Sequence, residues 1–318
     1  MPARFFKTRA ATRSLVLLGG LCLVAEGTAQ LMAGSDTSTR SDAPPLRMAV
    51  SEKVVCGVNL NDAKAAMSVW AQELLKTADL KFVVTPGQDW VMPSDQLLEA
   101  IRDRKLDLFC VTVHEYRRVA LFVDTTHIIT DDYGGEELLL LVREDGRIAS
   151  LADLRGRSLI LQESPNTSLA EPWLTVSLWK EGLESPQQLL GHMTTNTKLS
   201  QVVLPVFFGQ ADACVVTRRG LDTMVELNPQ LARKLKVLRA SPQMESAFFA
   251  CRKDCPLSLK NPLFERLLKL KSSVTTRQVL TLFQSPGFAD RDANCLGPAN
   301  ALLDAYERHR ESAVARKR

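Results

Sequence analysis

The stretch Leu106-Asp-Leu-Phe-Cys-Val-Thr-Val113 is an almost unbroken apolar run of strand length. Runs of this kind belong to strands covered on both faces, as in a parallel sheet. Upstream, Leu46 to Val50 reads as a first strand. Asn61 or Asp62 then caps a helix whose apolar stripe is Ala63, Ala66, Met67, Trp70, Leu74 and Leu75. Leu80 to Thr85 is the next predicted strand, and a helix with Leu97, Leu98 and Ile101 turned inward leads into Leu106. The order is βαβαβ. It implies right-handed crossovers and puts ligand-binding groups at the carboxyl ends of the strands.

Downstream the alternation starts again. Glu137 to Val142 reads as a strand, Leu151 to Arg155 as a short helix, Arg157 to Leu161 as a strand and Ser168 to Gly182 as a helix. The segment Lys198 to Phe208, the strand Asp212 to Thr217, a helix reaching Leu227 and the strand Lys236 to Leu238 complete a second sheet. After a strand at Ala247 to Ala250, only helical segments are predicted, around Leu263 to Leu270, Arg277 to Phe283 and Ala301 to Tyr306. These helices need a sheet to cover, and the first sheet has few helices of its own. The chain is therefore expected to return to its first lobe, crossing between lobes twice and making a hinge. A length of 318 residues agrees with two lobes, because single cores stop growing near roughly 250 to 300 residues.

The ends carry the charge. Arg4, Lys7, Arg9 and Arg13 precede an apolar run from Leu15 to Ala25, with small residues at Gly27 and Ala29, the pattern of a secretory signal peptide. The run is about half the roughly 20 residues of a membrane span, and Leu21 before Cys22 is too large for a lipidation motif. Cleavage after Ala29 leaves 36 basic and 35 acidic residues, so the net charge falls from +4 to +1. The remaining excess sits in Arg308, Arg310, Arg316, Lys317 and Arg318, without interleaved aromatics to stack bases, so no nucleic-acid partner is expected. Residues 30–45, rich in Ser, Thr, Asp and Pro, read as a flexible linker.

Export would expose Cys56, Cys110, Cys214, Cys251, Cys255 and Cys295 to an oxidising compartment, where disulfides form. Cys251 and Cys255 lie in one polar turn and are close enough in sequence to pair. Cys110 and Cys214 sit in apolar strand-like runs and read as buried thiols. No second Cys or His pair accompanies Cys251 and Cys255, so no metal is expected.

The stretches Ser150-Leu-Ala-Asp-Leu-Arg-Gly-Arg-Ser158, Glu163-Ser-Pro-Asn-Thr-Ser-Leu169 with Pro172, Gly209-Gln-Ala-Asp-Ala-Cys-Val-Val216, Leu227-Asn-Pro-Gln-Leu231 and Leu238-Arg-Ala-Ser-Pro242 together resemble the phosphate/phosphonate-type substrate-binding proteins of ABC transporters. The resemblance covers most of the chain from Leu46 to about Leu303 and rests on order and spacing. It implies an α/β, two-lobed type II periplasmic-binding-protein fold, with lobe two inserted in lobe one and two crossover strands as hinge. The expected organisation is a signal peptide (1–29), a linker (30–45), lobe one (46–128 and 242–310), lobe two (129–241) and a basic tail (311–318).

The candidate site residues follow. Asn166, Thr167 and Ser168, between a strand ending at Glu163 and the next helix, bring side-chain donors to free backbone N–H groups, an arrangement suited to an anion. The bland alternative is that they only cap the helix. A helix end contributes up to about 2 kcal/mol, whereas micromolar binding needs about 8.2 kcal/mol net, so groups from the other lobe must help. These are Ser51 with Lys53, Thr85, and the segment Thr112 to Tyr116. Tyr116 matches a tyrosine common in the family, its alternative being a half-buried surface aromatic. The family's Ser-Thr-Ser-Gly reads Asn166-Thr167-Ser168-Leu169 here, and a histidine often found before the Gly-x-x-Asp turn is replaced, in register, by Ser200, with Asn196 and Lys198 nearby. Pro205 is expected to interrupt that helix. Arg218 or Arg219 is the expected charge partner.

The expected function is capture of a small polar, anionic, phosphate- or phosphonate-like ligand by an exported monomer that presents it to a membrane permease. No cofactor is implied. A periplasmic sensor reporting to a membrane receptor is the alternative. An enzyme on the same scaffold would need a convergent acid/base or nucleophile pair, and His114 beside Cys110 lacks an orienting third group.

Overall fold

Strand and helix register in the computed structural model follow the burial pattern of the sequence. Residues 47–76, 89–270, 273–283 and 285–315 are described, and they belong to one compact unit, Ser41–Arg318. The strands are β1 (Met48–Ser51), β2 (Val91–Met92), β3 (Leu108–Thr112), β4 (Val123–Asp131), β5 (Leu138–Arg143), β6 (Ser158–Gln162), β7 (His192–Asn196), β8 (Ala213–Thr217), β9 (Leu235–Ala240), β10 (Ala247–Arg252) and β11 (Phe288–Arg291). The helices are α1 (Leu60–Lys76), α2 (Ser94–Arg102), α3 (Val113–Arg117), α4 (Ala170–Lys180), α5 (Pro186–Leu189), α6 (Leu199–Phe207), α7 (Arg218–Leu227), α8 (Gln230–Lys234), α9 (Leu257–Lys269), α10 (Val274–Leu282) and α11 (Gly297–Ala315).

Two mixed sheets form, in the orders β11-β4-β10-β3-β1-β2 and β7-β6-β8-β5-β9. In the first, β1 runs parallel to β2 and β3, and β10 pairs antiparallel with β3 and β4. In the second, β6 runs parallel to β7 and β8 while β5 is antiparallel to β8 and β9. The chain leaves the first sheet after β4, builds the second, and returns at β10. This is the two-lobed type II periplasmic-binding-protein architecture, with lobe two inserted in lobe one. β3 and β8 are buried along their whole length, which accounts for their unbroken apolar sequence.

The two crossovers touch each other. Glu136 N–H donates to Met244 O at 2.9 Å and Met244 N–H returns to Glu136 O at 3.0 Å. Gly135 precedes this bridge with φ +94°, and a Cβ there would lie 2.9 Å from the Met244 carbonyl carbon. Only glycine meets both demands without strain.

Several expectations change. β2, β4, β7 and β11 are not marked in the sequence pattern; β11 falls in a region expected to be wholly helical and gives the first sheet an antiparallel edge. Its side chains are only partly covered, so no strong alternation marks it in the sequence. The predicted strand Leu80 to Thr85 lies outside the described residues, as does Thr85. Asn59, not Asn61 or Asp62, caps α1: its Oδ1 accepts from Asn61 N at 2.9 Å. Pro205 does not break α6, because it sits near the end, where its carbonyl accepts from Gln210 N and Ala211 N. Helix α11 runs to Ala315, through Arg308 and Arg310 and into the expected basic tail (311–318). Among the described residues all six cysteines are free thiols; Cys110 and Cys214 are buried as expected, whereas the expected Cys251–Cys255 pairing is not formed. Cys251 and Cys255 nevertheless share a thiol–thiol hydrogen bond, which holds the Cys255 thiol below its usual range and raises that of Cys251.

Candidate functional site

At the carboxyl ends of β1 and β3 the backbone is fixed by a buried polar knot. Ser51 Oγ donates to Glu115 Oε1 at 2.6 Å. The other oxygen, Glu115 Oε2, accepts from Thr112 N–H at 2.9 Å and from Thr112 Oγ1 at 3.0 Å. Thr112 closes a capping box on α3. Ser51 also caps a helical turn at Glu52–Val55 through Lys53 N–H. These bonds place Lys53, Thr112 and His114 on the lobe-one side of the cleft.

The lobe-two side is the turn Ser164–Ser168 between β6 and α4. Thr167 Oγ1 donates to Gln162 O at 2.6 Å and accepts from Ser164 N–H at 3.0 Å, so its hydroxyl is used within the turn. Glu163 N–H is tied to Asn196 O, and Thr195 Oγ1 donates to Glu163 Oε2 at 3.3 Å.

The turn separates two cavities. On one side, Ser164, Thr167 and Ser168 face Lys53, Thr112 and His114 across a cavity of about 360 Å³ that also meets Glu163 and Glu171. On the other, Pro165 and Asn166 border a cavity of about 130 Å³ that enters lobe one between α1, α10 and β10. Asn166 Oδ1 accepts from Ser246 Oγ at 3.5 Å, linking the lobes there.

The electrostatics of the two sides differ. Lys53 is exposed, and among the described residues it has no ion pair or side-chain hydrogen bond. Desolvation, reinforced by the Lys53 charge, lowers the His114 pKa below the usual imidazole value. Burial, with Glu163 nearby, pushes the Cys56 thiol up to about 11. Cys110 is buried in the core and its thiol is driven well above the normal range by desolvation, so it remains a neutral thiol away from His114.

The expected site residues are thus distributed unevenly. Thr167 and Ser168 line the larger cavity and Asn166 the smaller. Ser51 is fully buried beneath the Lys53 turn. Tyr116 packs edge-on against Phe248 with ring centroids 5.3 Å apart, and Ser200 is exposed in the first turn of α6; neither lines these cavities. Arg218 and Arg219 are not free charges. Arg218 Nε donates to Glu137 at 2.7 Å, and Arg219 pairs with Glu136 while its guanidinium lies 3.3 Å above the Tyr133 ring.

Sequence reasoning missed Asp131, Glu136 and Glu245, the acids of the crossovers. No local signal marks them: Glu136 and Glu245 sit in short polar gaps between apolar strands and Asp131 closes β4, positions where a carboxylate is ordinary. Among the described residues no cluster of three or more His, Cys, Asp or Glu side chains is arranged to hold a metal ion. No described helix is long and apolar enough to cross a membrane.

Solved structures share the fold. A binding-protein component of an ABC phosphonate transporter from Pseudomonas aeruginosa is 16% identical with a TM-score of 0.54, over 84% of this chain and 88% of that one. A Xanthomonas citri protein solved with ATP is 15% identical with a TM-score of 0.58, over 85% and 98%. A Prochlorococcus marinus protein in complex with methylphosphonate is 14% identical with a TM-score of 0.55, over 81% and 96%. No curated protein matches the chain in sequence. The family model described as ABC transporter, phosphonate, periplasmic substrate-binding protein matches residues 59–294, and the chain belongs to that family.

Proposed function

We propose that the protein captures a small anionic solute of the phosphonate class in the 360 Å³ cavity and hands it to a membrane permease. The observation that carries this reading is Lys53: an unpaired cation, opposite the hydroxyls of Ser164 and Ser168, between two lobes. A charged hydrogen bond contributes about 1.5 to 3 kcal/mol, so the lysine and the opposing hydroxyls together approach the affinity that one helix end lacks. In this reading Lys53 and Ser168 touch the solute, while Ser51 and Thr167 hold the two turns in position. Tyr116, Asn166 and Ser200 stand outside the contact set. Glu163 and Glu171 line the same cavity and repel a bare dianion; a phosphonate that also carries an ammonium or hydroxyl group satisfies them.

The chain works in the periplasm as a monomer in this reading, with residues 1–29 removed on export and 30–45 as a spacer. The basic, apolar and small-residue succession supports the first and the composition of the linker the second. In that compartment Cys251 and Cys255, already in thiol contact, form a disulfide.

Calorimetry on the mature protein with phosphate, methylphosphonate and an aminoalkylphosphonate tests the reading. Micromolar binding of a phosphonate, weakened at least tenfold in Lys53→Ala, supports it. Absence of binding by all three, or equal binding in Lys53→Ala, overturns it.

A further inference from the structure

The second cavity has properties that an anion site lacks. Its walls are apolar and aromatic: Met67 and Trp70 from α1, Phe249 from β10, Phe283 after α10 and Phe288 from β11. Trp70 stacks on Phe249 with centroids 5.5 Å apart and meets the edge of Phe288 at 6.2 Å. A buried apolar cavity of about 150 Å³ holds a benzene molecule, so 130 Å³ accommodates one ring or a branched alkyl group of similar size.

Two buried polar atoms at this cavity have no hydrogen-bond partner among the described residues: the Trp70 indole N–H and Glu245 Oε1. Trp70 is 2% exposed and Glu245 4%. Buried polar groups left unpaired are costly, and here one lacks an acceptor and the other a donor. The charges at the mouth are Asp131, Glu136 and Glu245 against Arg219, with Arg291 behind. Arg219 is committed to Glu136 and the Tyr133 face. Arg291 Nε donates to Thr130 at 3.2 Å and stands 3.8 Å from Glu245 Oε1, beyond hydrogen-bonding distance. The balance is acidic. Burial raises the Glu245 carboxyl to about 7, despite the opposing effects of Arg291 and Thr130.

We propose that this cavity, which reaches from the boundary between the lobes into lobe one, is a second binding site, for a small organic amine with an aromatic or branched-alkyl body. The ring packs against the wall formed by Trp70, Phe249 and Phe283, and the ammonium bonds to Glu245 at the mouth. An oxygen substituent on the body would accept from the Trp70 N–H. The site goes beyond the phosphonate reading and does not depend on it, because the Ser164–Ser168 turn separates the two cavities.

The test uses the mature protein with benzylamine, methylamine, benzoate and 4-fluorobenzylamine. Saturable tryptophan-fluorescence change with benzylamine is expected, at least tenfold weaker with methylamine, which lacks the body, and with benzoate, which has the wrong charge. Glu245→Gln, a near-isosteric change, should weaken benzylamine at least tenfold. With the wild-type protein alone, fluorine NMR should show 4-fluorobenzylamine bound and undisplaced by excess methylphosphonate. Absence of saturable binding, benzoate binding as tight as benzylamine, unchanged affinity in Glu245→Gln, or displacement by methylphosphonate would each overturn the proposal.

Discussion

Ser51 Oγ and Glu115 Oε1 lie 2.6 Å apart although 64 residues separate them in the chain. The bond ties the carboxyl end of β1 to the first turn of α3, both fully buried, and so fixes the turn that carries Lys53. Replacing Ser51 by Ala removes a donor to a buried carboxylate and the cap of the Lys53 turn. A loss of about 1 to 3 kcal/mol of stability is expected, measured by urea unfolding. An unchanged midpoint would show that the knot does not hold the turn.

Neighbouring hydroxyls on the lobe-two turn should behave oppositely. Thr167 is bonded within the turn at both ends, so Thr167→Ala should lower the unfolding temperature. Ser168 is exposed toward the cavity, so Ser168→Ala should leave that temperature unchanged and weaken phosphonate binding several-fold in calorimetry. If Ser168→Ala destabilises and Thr167→Ala alone affects binding, the assignment is reversed.

Glu245 predicts a pH dependence. Its folded-state pKa, raised to about 7 by burial, exceeds its value of 4.5 in the unfolded chain. The folded state therefore holds the proton where the unfolded state has lost it. This contribution is fully present below pH 4.5, declines as pH rises, and is lost above about 7. Unfolding free energies measured between pH 5 and 8 should fall more steeply for the wild type than for Glu245→Gln. Parallel profiles would mean that Glu245 is ionised in the fold throughout.

The hinge has one position that tolerates no side chain. Gly135→Ala would place a Cβ 2.9 Å from the Met244 carbonyl carbon at φ +94°, with a strain cost of about 1 to 3 kcal/mol. A lowered unfolding temperature is expected, together with altered scattering of the ligand-free protein, since the Glu136–Met244 bridge must shift. Wild-type behaviour in both measurements would show that the crossovers are looser than their pairing implies.

In an oxidising buffer, Cys251 and Cys255 should lose two protons' mass and resist alkylation. Closing a loop of five residues stabilises by about 2 kcal/mol in the chain-entropy model. Oxidised and reduced protein with the same unfolding midpoint, or free thiols after export, would remove the bridge.

The apolar periods alone determined most elements: Leu97, Leu98 and Ile101 face inward on α2 and the run at Leu106–Val113 fills β3, because burial at a period of two or 3.6 is a local property of the chain. The family's order of motifs likewise led to the inserted lobe and to the Ser164–Ser168 turn. Tertiary structure alone decided which polar groups are free. Thr167 and Ser168 look alike in sequence, and only the Gln162 carbonyl tells them apart. Arg219 reads as available in the sequence, and only the fold brings Glu136 to it. Glu245 has no local mark, because a carboxylate becomes unusual only when distant segments bury it. Charge and hydrogen-bond availability depend on partners brought together from far along the chain, so no local pattern can carry them.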